Sequence, residues 1–239
     1  MILRNKKLLE LERFCGKDPV RHAFCLWDLK KEMENTEFYI DWRGEIKGYM
    51  LIYTGGDFPS VIIQGSRKSA EIFAEMMPIH RGVIHFPSEY WDIFKIGDTR
   101  YRIDIMVAEP RFYFIDKDVK VITSKEKLKK LFINPEYLVE KAITYGIEVD
   151  GYAVSVASAL VHLPEVWVLG AVTTHKNYRN RGFATRVVGH FMSMAYGHTE
   201  RVVLWVRSDN ETAIKIYRKY GFKKIGEEGW INVDVDIVP

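Results

Sequence analysis

The stretch from Gly170 to Met192, reading GAVTTHKNYRNRGFATRVVGHFM, limits the fold of this chain more than any other part of its sequence. It starts inside an apolar run, Trp167 to Val172, that predicts a strand, and it ends in apolar residues spaced to share one helix face. Between them lies a basic loop with Gly182, Arg179 and Arg181. The first turn of a helix has backbone N–H groups without an intrahelical partner, and the helix dipole adds partial positive charge there. The loop therefore predicts a binding site for a phosphate or a diphosphate.

Two common phosphate-binding loops are excluded by their patterns. The sequence contains no G-x-x-x-x-G-K-[ST], and no G-x-G-x-x-G follows a predicted strand. Residues 179–184 instead read R-x-x-G-x-A. The alternative interpretation is an ordinary strand-to-helix loop with arginines on its surface.

A second stretch, residues 201–222, has the same order of strand, loop and helix. The run RVVLWV at 201–206 predicts a strand, and Ser-Asp-Asn at 208–210 supplies good N-cap residues for the helix that follows. The helical pattern carries Asn210, Ala213 and Tyr217. It ends in Gly221-Phe222, and Gly221 stands where a left-handed C-cap is expected.

Together the two stretches resemble the GNAT superfamily of acetyltransferases. The pattern at 179–184 is similar to its coenzyme A diphosphate loop, and the Asn, Tyr and Gly-Phe pattern at 210–222 is similar to its closing motif. The resemblance implies an α/β fold of α+β character, the GNAT acyl-CoA N-acyltransferase fold, with a mixed sheet that parts in its middle to hold coenzyme A. It implies an enzyme that transfers an acetyl (acyl) group from acetyl-CoA to a primary amine by direct attack in a ternary complex. The alternative is a non-catalytic acyl-CoA-binding sensor or interaction module with the same fold.

The resemblance also implies roles for individual residues. Tyr217 would be the catalytic acid that protonates the leaving thiolate, and a core tyrosine is the alternative. The strand at 172–174 would pair with the pantetheine arm, and Asn210 would bond that arm, cap its own helix, or do both. The implied cofactor-binding residues are Val172, Thr173, Thr174, Arg179, Arg181, Gly182, Phe183, Ala184, Thr185, Asn210 and Tyr217.

The general base for the amine stays open at this point. Glu165 precedes the apolar run at 167–172, and bases of the family often come from that region. We therefore name Glu165 as the catalytic base. His175, Glu148, Asp209 and His162 are rivals, and a chain of water molecules is a further alternative.

The composition of the 239-residue chain argues against several other classes of protein. A formal net charge of +3 is too small to predict a nucleic-acid partner. The histidines and the two cysteines, Cys15 and Cys25, have no zinc-binding spacing, so no metal is expected, and the cysteines are interpreted as small buried hydrophobes. No apolar run is long enough for a membrane span, and the N-terminus has no apolar signal core. We expect a cytoplasmic monomer or homodimer whose partners are acetyl-CoA and an amine acceptor.

The order of predicted elements repeats once along the chain. A hairpin, a strand, a helix, a strand, a helix and a strand are predicted within 38–107 and again within 152–238, which indicates a structural duplication. The predicted domains are 1–115, a degenerate GNAT-like domain, and 116–239, a catalytic GNAT domain. The first half lacks the arginine–glycine pattern of the loop and the Asn–Tyr pattern of the helix, so one coenzyme site is expected. Such a chain resembles the glycine N-acyltransferase-like branch of the superfamily.

Three local expectations concern the ends of these domains. Apolar residues among charges predict an amphipathic helix from Met1 to Phe14. A second helix is predicted from Asn134 to Tyr145, because Asn-Pro is a good cap and first-turn pair. Two separate strands are predicted at 223–226 and 230–238.

Overall fold

A computed structural model describes residues 1–77, 81–95 and 99–234 of the chain, and it forms a mixed α/β fold. The strands in this part of the chain are β1 Ile2–Arg4, β2 Thr36–Trp42, β3 Ile46–Tyr53, β4 Ser60–Gly65, β5 Arg81–Pro87, β6 Thr99–Ala108, β7 Val119–Val121, β8 Ile143–Val149, β9 Tyr152–His162, β10 Trp167–Thr174, β11 Val202–Arg207 and β12 Lys223–Asp234. The α-helices are α1 Leu8–Cys15, α2 Ala23–Lys31, α3 Arg67–Glu75, α4 Lys125–Leu128, α5 Glu136–Glu140, α6 Phe183–Ala195 and α7 Glu211–Lys219. The predicted fold class is confirmed.

The chain divides into two compact units. The first comprises residues 1–104, 207–209 and the C-terminal residues from 226 onward, and the second comprises 105–206 and 210–225. The division therefore falls inside β6 and β12 rather than in the segment that joins 115 to 116. The interpretation of residues 1–115 and 116–239 as a degenerate and a catalytic domain stays a prediction.

In the first unit the strands are ordered β1-β2-β3-β4-β5-β12. Neighbours are antiparallel except β4 and β5, which run parallel because α3 connects them. The face of α3 that carries Ala70 and Phe73 is buried against Ile63, Ile84 and Phe86 of the sheet. Burial of this apolar area is the main favourable contribution to the stability of the unit.

In the second unit five strands are ordered β11-β10-β9-β8-β7. The pair β10–β11 is parallel and the other pairs are antiparallel. The predicted apolar face of α6 is confirmed at Val187, Val188 and Phe191, which are fully buried in one core with α7 and the sheet. This packing fixes the start of α6 relative to the end of β10.

The helix predicted at the N-terminus is wrong in its first residues. Ile2–Arg4 form β1, which pairs with β2, and the helix begins only at Leu8. Asn5 and Lys7 have φ angles of 49° and 61°, in the left-handed region that a right-handed helix cannot include. Pairing with a distant strand has therefore overridden the local helical pattern.

The helix predicted at 134–145 is also too long, because α5 ends at Glu140 and β8 follows it. Thr144 lies inside β8, where its hydroxyl donates to the carbonyl of Leu138 at 2.7 Å and contacts the hydroxyl of Ser158 on β9 at 2.9 Å. The β-branched residues at 143–144 fit a buried strand.

The two strands predicted at the C-terminus form the single strand β12. Glu228 to Asp234 pair without interruption with β5, so Gly229 lies in a regular ladder and not in a turn. Residues 235–239 of the predicted second strand lie outside the described residues.

Candidate functional site

A cleft of about 650 Å³ opens in the second unit, between the end of β10 and the starts of α6 and α7. All of the predicted cofactor-binding residues except Arg181 line it. The lining consists of Val172, Thr173, Thr174, Tyr178, Arg179, Asn180, Gly182, Phe183, Ala184, Thr185, Asn210, Thr212, Ala213, Ile216 and Tyr217.

The parallel strands β10 and β11 separate from each other at this cleft. Among the described residues, β10 and β11 pair only at Trp167↔Val202 and Val168↔Val203. Beyond that point β10 continues its ladder with β9 on its other side, at Thr173↔Val156 and Thr174↔Ser155. The backbone groups of β10 that would face β11 are therefore left to an extended ligand, which can bind them as an added strand.

A β-bulge accompanies the parting of the strands, and it was not predicted from the sequence. The register of β10 against β9 shifts between Gly170 and Thr173, and Ala171 there has a φ of 49°. A Cβ at Gly170 would lie 2.2 Å from a methyl carbon of Leu160, so any other residue there would require the Leu160 side chain to move. A bulge bends its strand and re-aims the residues beyond it, which turns Val172 to Thr174 toward the cleft. The adjacent small residues Gly170-Ala171 are the one sequence signal that could have indicated it.

The N-terminus of α6 is open toward the cleft. Gly182 is its N-cap, with a φ of 77°, and it carries no side chain to accept a hydrogen bond. The first helical bond runs from Arg186 N–H to the Gly182 carbonyl at 3.0 Å. No described residue accepts a hydrogen bond from the backbone N–H groups at 183–185. Three free donors together with the helix dipole are the chemistry that favours an anion at this position.

The backbone conformation at Gly182, rather than crowding within the protein, accounts for the glycine. A Cβ built there meets no atom within 4 Å, so the protein itself leaves room for a side chain. Glycine is favoured because any other residue in this left-handed backbone conformation would raise the free energy of the folded state by about 1–2 kcal/mol.

The two predicted arginines are placed differently. Arg179 lines the cleft, and its Nε donates to the carbonyl of Thr174 at 3.1 Å, which ties the loop to the end of β10. Arg181 does not line the cleft; its guanidinium carbon lies 5.4 Å from the centroid of the Tyr178 ring. Arg179 is therefore the arginine that contributes charge beside the open helix end.

Asn210 caps α7, as one of its two predicted roles requires. Its side-chain oxygen accepts from the N–H of Ala213 at 3.2 Å, and the residue lines the cleft. The side-chain amide nitrogen of Asn210 donates to no described residue, so capping of α7 leaves it able to bond a ligand.

Tyr217 is the only buried residue with a hydroxyl group among those that line the cleft in the described part of the chain. Its side chain is 7% exposed, and its hydroxyl makes no hydrogen bond with a described residue. Burial raises the pKa of Tyr217 to about 12, so the phenol keeps its proton throughout the neutral range. The residue can therefore act as an acid and cannot act as a base there.

Glu165 lies away from the cleft. It precedes β10, whereas the lining residues of β10 are its last three, 172–174. At about 3.3 Å per residue, the strand from its first residue, Trp167, to residues 172–174 spans roughly 17–23 Å. Its assignment as the base stays a prediction that this geometry does not favour.

The rivals of Glu165 do not line the cleft either. Glu148 is ion-paired with Lys127 at 2.8 Å, and Asp209 is ion-paired with Arg207. The hydrogen bond from that arginine lowers the pKa of Asp209. His175 accepts a hydrogen bond from the N–H of Asn177, and His162 ends β9 opposite the first residue of β10.

Residues 113–116, for which no role was predicted, hold α6 in place. The N–H groups of Tyr113 and Phe114 both donate to the hydroxyl of Ser193, at 2.9 and 3.0 Å. Arg186 donates to both carboxylate oxygens of Asp116, at 2.6 and 2.8 Å, and these bonds lower the pKa of that carboxyl. The segment 113–116 is therefore hydrogen-bonded to α6 both in its first turn and near its end.

Comparisons of the sequence with known proteins give matches to parts of the chain. Residues 144–231 match the family model described as FR47-like protein. A stretch of 49 residues is 45% identical to an uncharacterized protein of Mycobacterium leprae (strain TN); it covers 20% of this chain and only 13% of that protein.

Solved structures match over nearly the whole chain at low sequence identity. A Drosophila protein superposes with a TM-score of 0.72 at 12% identity, covering 98% of this chain and 97% of its own. A GCN5-related N-acetyltransferase-like protein from Streptococcus suis has a TM-score of 0.64 at 14% identity, covering 94% and 98%. A tandem GNAT protein from the clavulanic acid biosynthesis pathway has a TM-score of 0.60 at 10% identity, covering 99% and 100%.

Two further findings concern the described residues alone. No helix there is long and apolar enough to cross a membrane. No group of three or more His, Cys, Asp or Glu residues there is arranged to hold a metal ion.

Proposed function

The chain has the fold of the GNAT superfamily, and from this we propose that it is an N-acetyltransferase that transfers an acetyl group from acetyl-CoA to a primary amine. One observation carries the proposal: the parted edge of β10, the open N-terminus of α6 and the hydroxyl of Tyr217 all face one cleft. The pantetheine arm of coenzyme A requires a strand edge, its diphosphate requires an anion site, and its leaving thiolate requires a proton donor.

The residues of the cleft fit acetyl-CoA by their chemistry. The open N–H groups at 183–185 and the charge of Arg179 would hold the diphosphate, since a helix N-terminus and a guanidinium both favour phosphate. The backbone at 172–174 would pair with the amide groups of the pantetheine arm, and Asn210 lies beside its path. When bound, acetyl-CoA supplies an acyl group already activated as a thioester.

The contribution of Tyr217 to the reaction is a proton. Attack by an amine on a thioester expels a thiolate, and a protonated phenol beside it can neutralise the developing charge. The raised pKa keeps this phenol protonated throughout the neutral range. The open site also brings the two reactants together, which removes much of the entropic cost of their encounter.

Release of free thiol from acetyl-CoA in the presence of an amine panel tests the proposed activity. The panel should include amino acids, polyamines, and peptides with a free N-terminus or a lysine. We expect amine-dependent thiol release for at least one member, with the N-acetylated amine identified by mass spectrometry. Tight binding of acetyl-CoA without turnover on any amine would favour the non-catalytic sensor.

We also propose that the first unit binds no second coenzyme, so that the chain binds one acetyl-CoA. Its corresponding loop precedes α3, whose N-cap Ser66 accepts a hydrogen bond from the N–H of Ser69. Arg67 is neutralised by Asp92 and Glu71. The hydroxyl of Tyr90 donates to the Gly65 carbonyl at 2.9 Å, at the end of β4. One N–H donor at the start of α3, the guanidinium of Arg67 and the carbonyl at the end of β4 are therefore already engaged here.

Calorimetric titration with acetyl-CoA measures this stoichiometry. We expect one equivalent per chain, and we expect the Gly182→Glu variant discussed below to bind none. A stoichiometry of two for the unmodified chain would show that the first unit has a working site.

A further inference from the structure

A second cavity, of about 480 Å³, lies in the same unit and shares no lining residue with the cleft. It lies where β6 ends, where β11 begins and where α7 leads into β12. Binding pockets for small molecules are typically roughly 300–1,000 Å³. The size of the second cavity is therefore that of a ligand site.

The rim of the second cavity carries an excess of positive charge. Arg111, Arg201 and Lys223 line it with a single acidic residue, Glu109, so three positive charges and one negative charge give a formal net charge of +2. Arg201 pairs with Glu109 at 3.5 Å. The exposed side chains of Arg111 and Lys223 form no ion pair or hydrogen bond with any described residue. Two cations are therefore left to a ligand.

Apolar and aromatic residues make up most of the remaining lining of the second cavity. Val107, Ala108 and Ile225 line it together with the rings of two tyrosines. The ring of Tyr113 meets that of Tyr220 edge to face, with centroids 4.9 Å apart, and the backbone of Tyr113 is bonded to Ser193. These contacts fix the aromatic wall in position before any ligand binds, which lowers the entropic cost of binding.

We propose that the second cavity binds a small organic dianion with an apolar body, either a dicarboxylate or a phosphate monoester. Arg111 and Lys223 match the two negative charges, and the apolar wall accommodates the body of the ligand. The site is distinct from the coenzyme cleft, so the ligand and acetyl-CoA should bind at the same time.

Calorimetric titration of the full chain with phenyl phosphate and with phthalate tests this proposal, with benzamide as an uncharged probe of similar shape. We expect saturable binding of at least one dianion and none of benzamide. Arg111→Gln and Lys223→Gln should each weaken that binding about tenfold, because each removes a hydrogen bond to a charged group. Lys68→Gln, which removes an exposed cation without a described partner from α3, is the matched control and should leave binding unchanged.

The two probes and acetyl-CoA separate the outcomes. Stronger binding of phenyl phosphate identifies a phosphate monoester as the ligand class, and stronger binding of phthalate identifies a dicarboxylate. Saturating acetyl-CoA should leave the affinity for the dianion unchanged. The proposal is overturned if neither dianion saturates a site, if the Arg111 and Lys223 variants bind as the unmodified chain does, or if acetyl-CoA displaces the dianion. None of these results depends on whether the chain transfers acetyl groups.

Discussion

Tyr217→Phe is expected to lower the turnover number while the affinity for acetyl-CoA stays within a few-fold. The substitution removes the phenolic proton and keeps the ring, which packs near Phe222 with centroids 5.8 Å apart. General acid catalysis typically contributes about a hundred- to ten-thousand-fold in rate, or roughly 3–5 kcal/mol on the barrier. The loss should lie near the lower end, because a thiolate leaves fairly well without a proton. Single-turnover measurements at saturating acceptor isolate the acyl-transfer step.

The pH dependence gives a second test of the same residue. Because burial raises the pKa of Tyr217 to about 12, its neutral form is fully populated at neutral pH and is lost only as the pH rises toward that value. Tyr217→Phe should therefore lower the rate by a constant factor between pH 6 and pH 9, a range well below that pKa. A ratio of rates that changes across this range would contradict the assignment, as would near-normal turnover.

The choice of control for Tyr217 depends on the structure. Tyr220 is a neighbour on the chain, but its hydroxyl donates to the Thr185 carbonyl at 2.7 Å in the first turn of α6. Tyr220→Phe would therefore disturb the helix that forms the anion site. Tyr145 is 4% exposed and lies in β8 outside the cleft, so Tyr145→Phe removes the same atom from a buried tyrosine without that effect. It should change turnover little.

Gly182→Glu is expected to abolish acetyl-CoA binding in a chain that still folds. The new carboxylate would stand at the open N-terminus of α6, beside the N–H groups that would hold the diphosphate. Two unit charges 4 Å apart interact by about 4 kcal/mol at an effective dielectric constant of 20, so we expect an affinity loss of at least about a hundredfold. Calorimetric titration measures the loss, and circular dichroism reports whether the fold is kept.

Gly197→Glu is the matched control for this substitution. Gly197 has a φ of 80° and open space around a Cβ, as Gly182 does, but it follows the other end of α6. Both variants bear the same left-handed backbone strain of about 1–2 kcal/mol and the same added charge. In the control we expect unchanged acetyl-CoA affinity and a somewhat larger loss of thermal stability, because its carboxylate lies near the negative end of the helix dipole. Equal acetyl-CoA affinities in the two variants would contradict the proposal that the diphosphate binds at the N-terminus of α6.

Much of the candidate site could be predicted from the sequence because its parts are local. A strand, a loop with glycine and arginine, and a helix start follow one another between Gly170 and Met192, and their backbone geometry depends on neighbouring residues. The same holds for the cap at Asn210 and for Tyr217, which follows it on the same helix. Hydrophobic periodicity identified the buried face of α6 for the same reason.

What the sequence left open depends on residues that are far apart in the chain. Glu165 does not line the cleft because it lies at the opposite end of β10. Arg181 does not line it because its side chain lies on the other side of the loop. Tyr90 satisfies the end of β4 in the first unit through a contact with Gly65.

The sequence by itself determined that a strand, a basic loop with a glycine and a helix follow one another, and that a helix with Asn210 and Tyr217 comes after them, because short-range steric and hydrogen-bonding rules govern such units. Only the tertiary structure decided that β10 and β11 separate after two residue pairs and that a bulge at Ala171 turns β10 toward the gap. Strand pairing and close packing join residues distant in sequence, and local pattern does not encode which backbone groups are left without a partner.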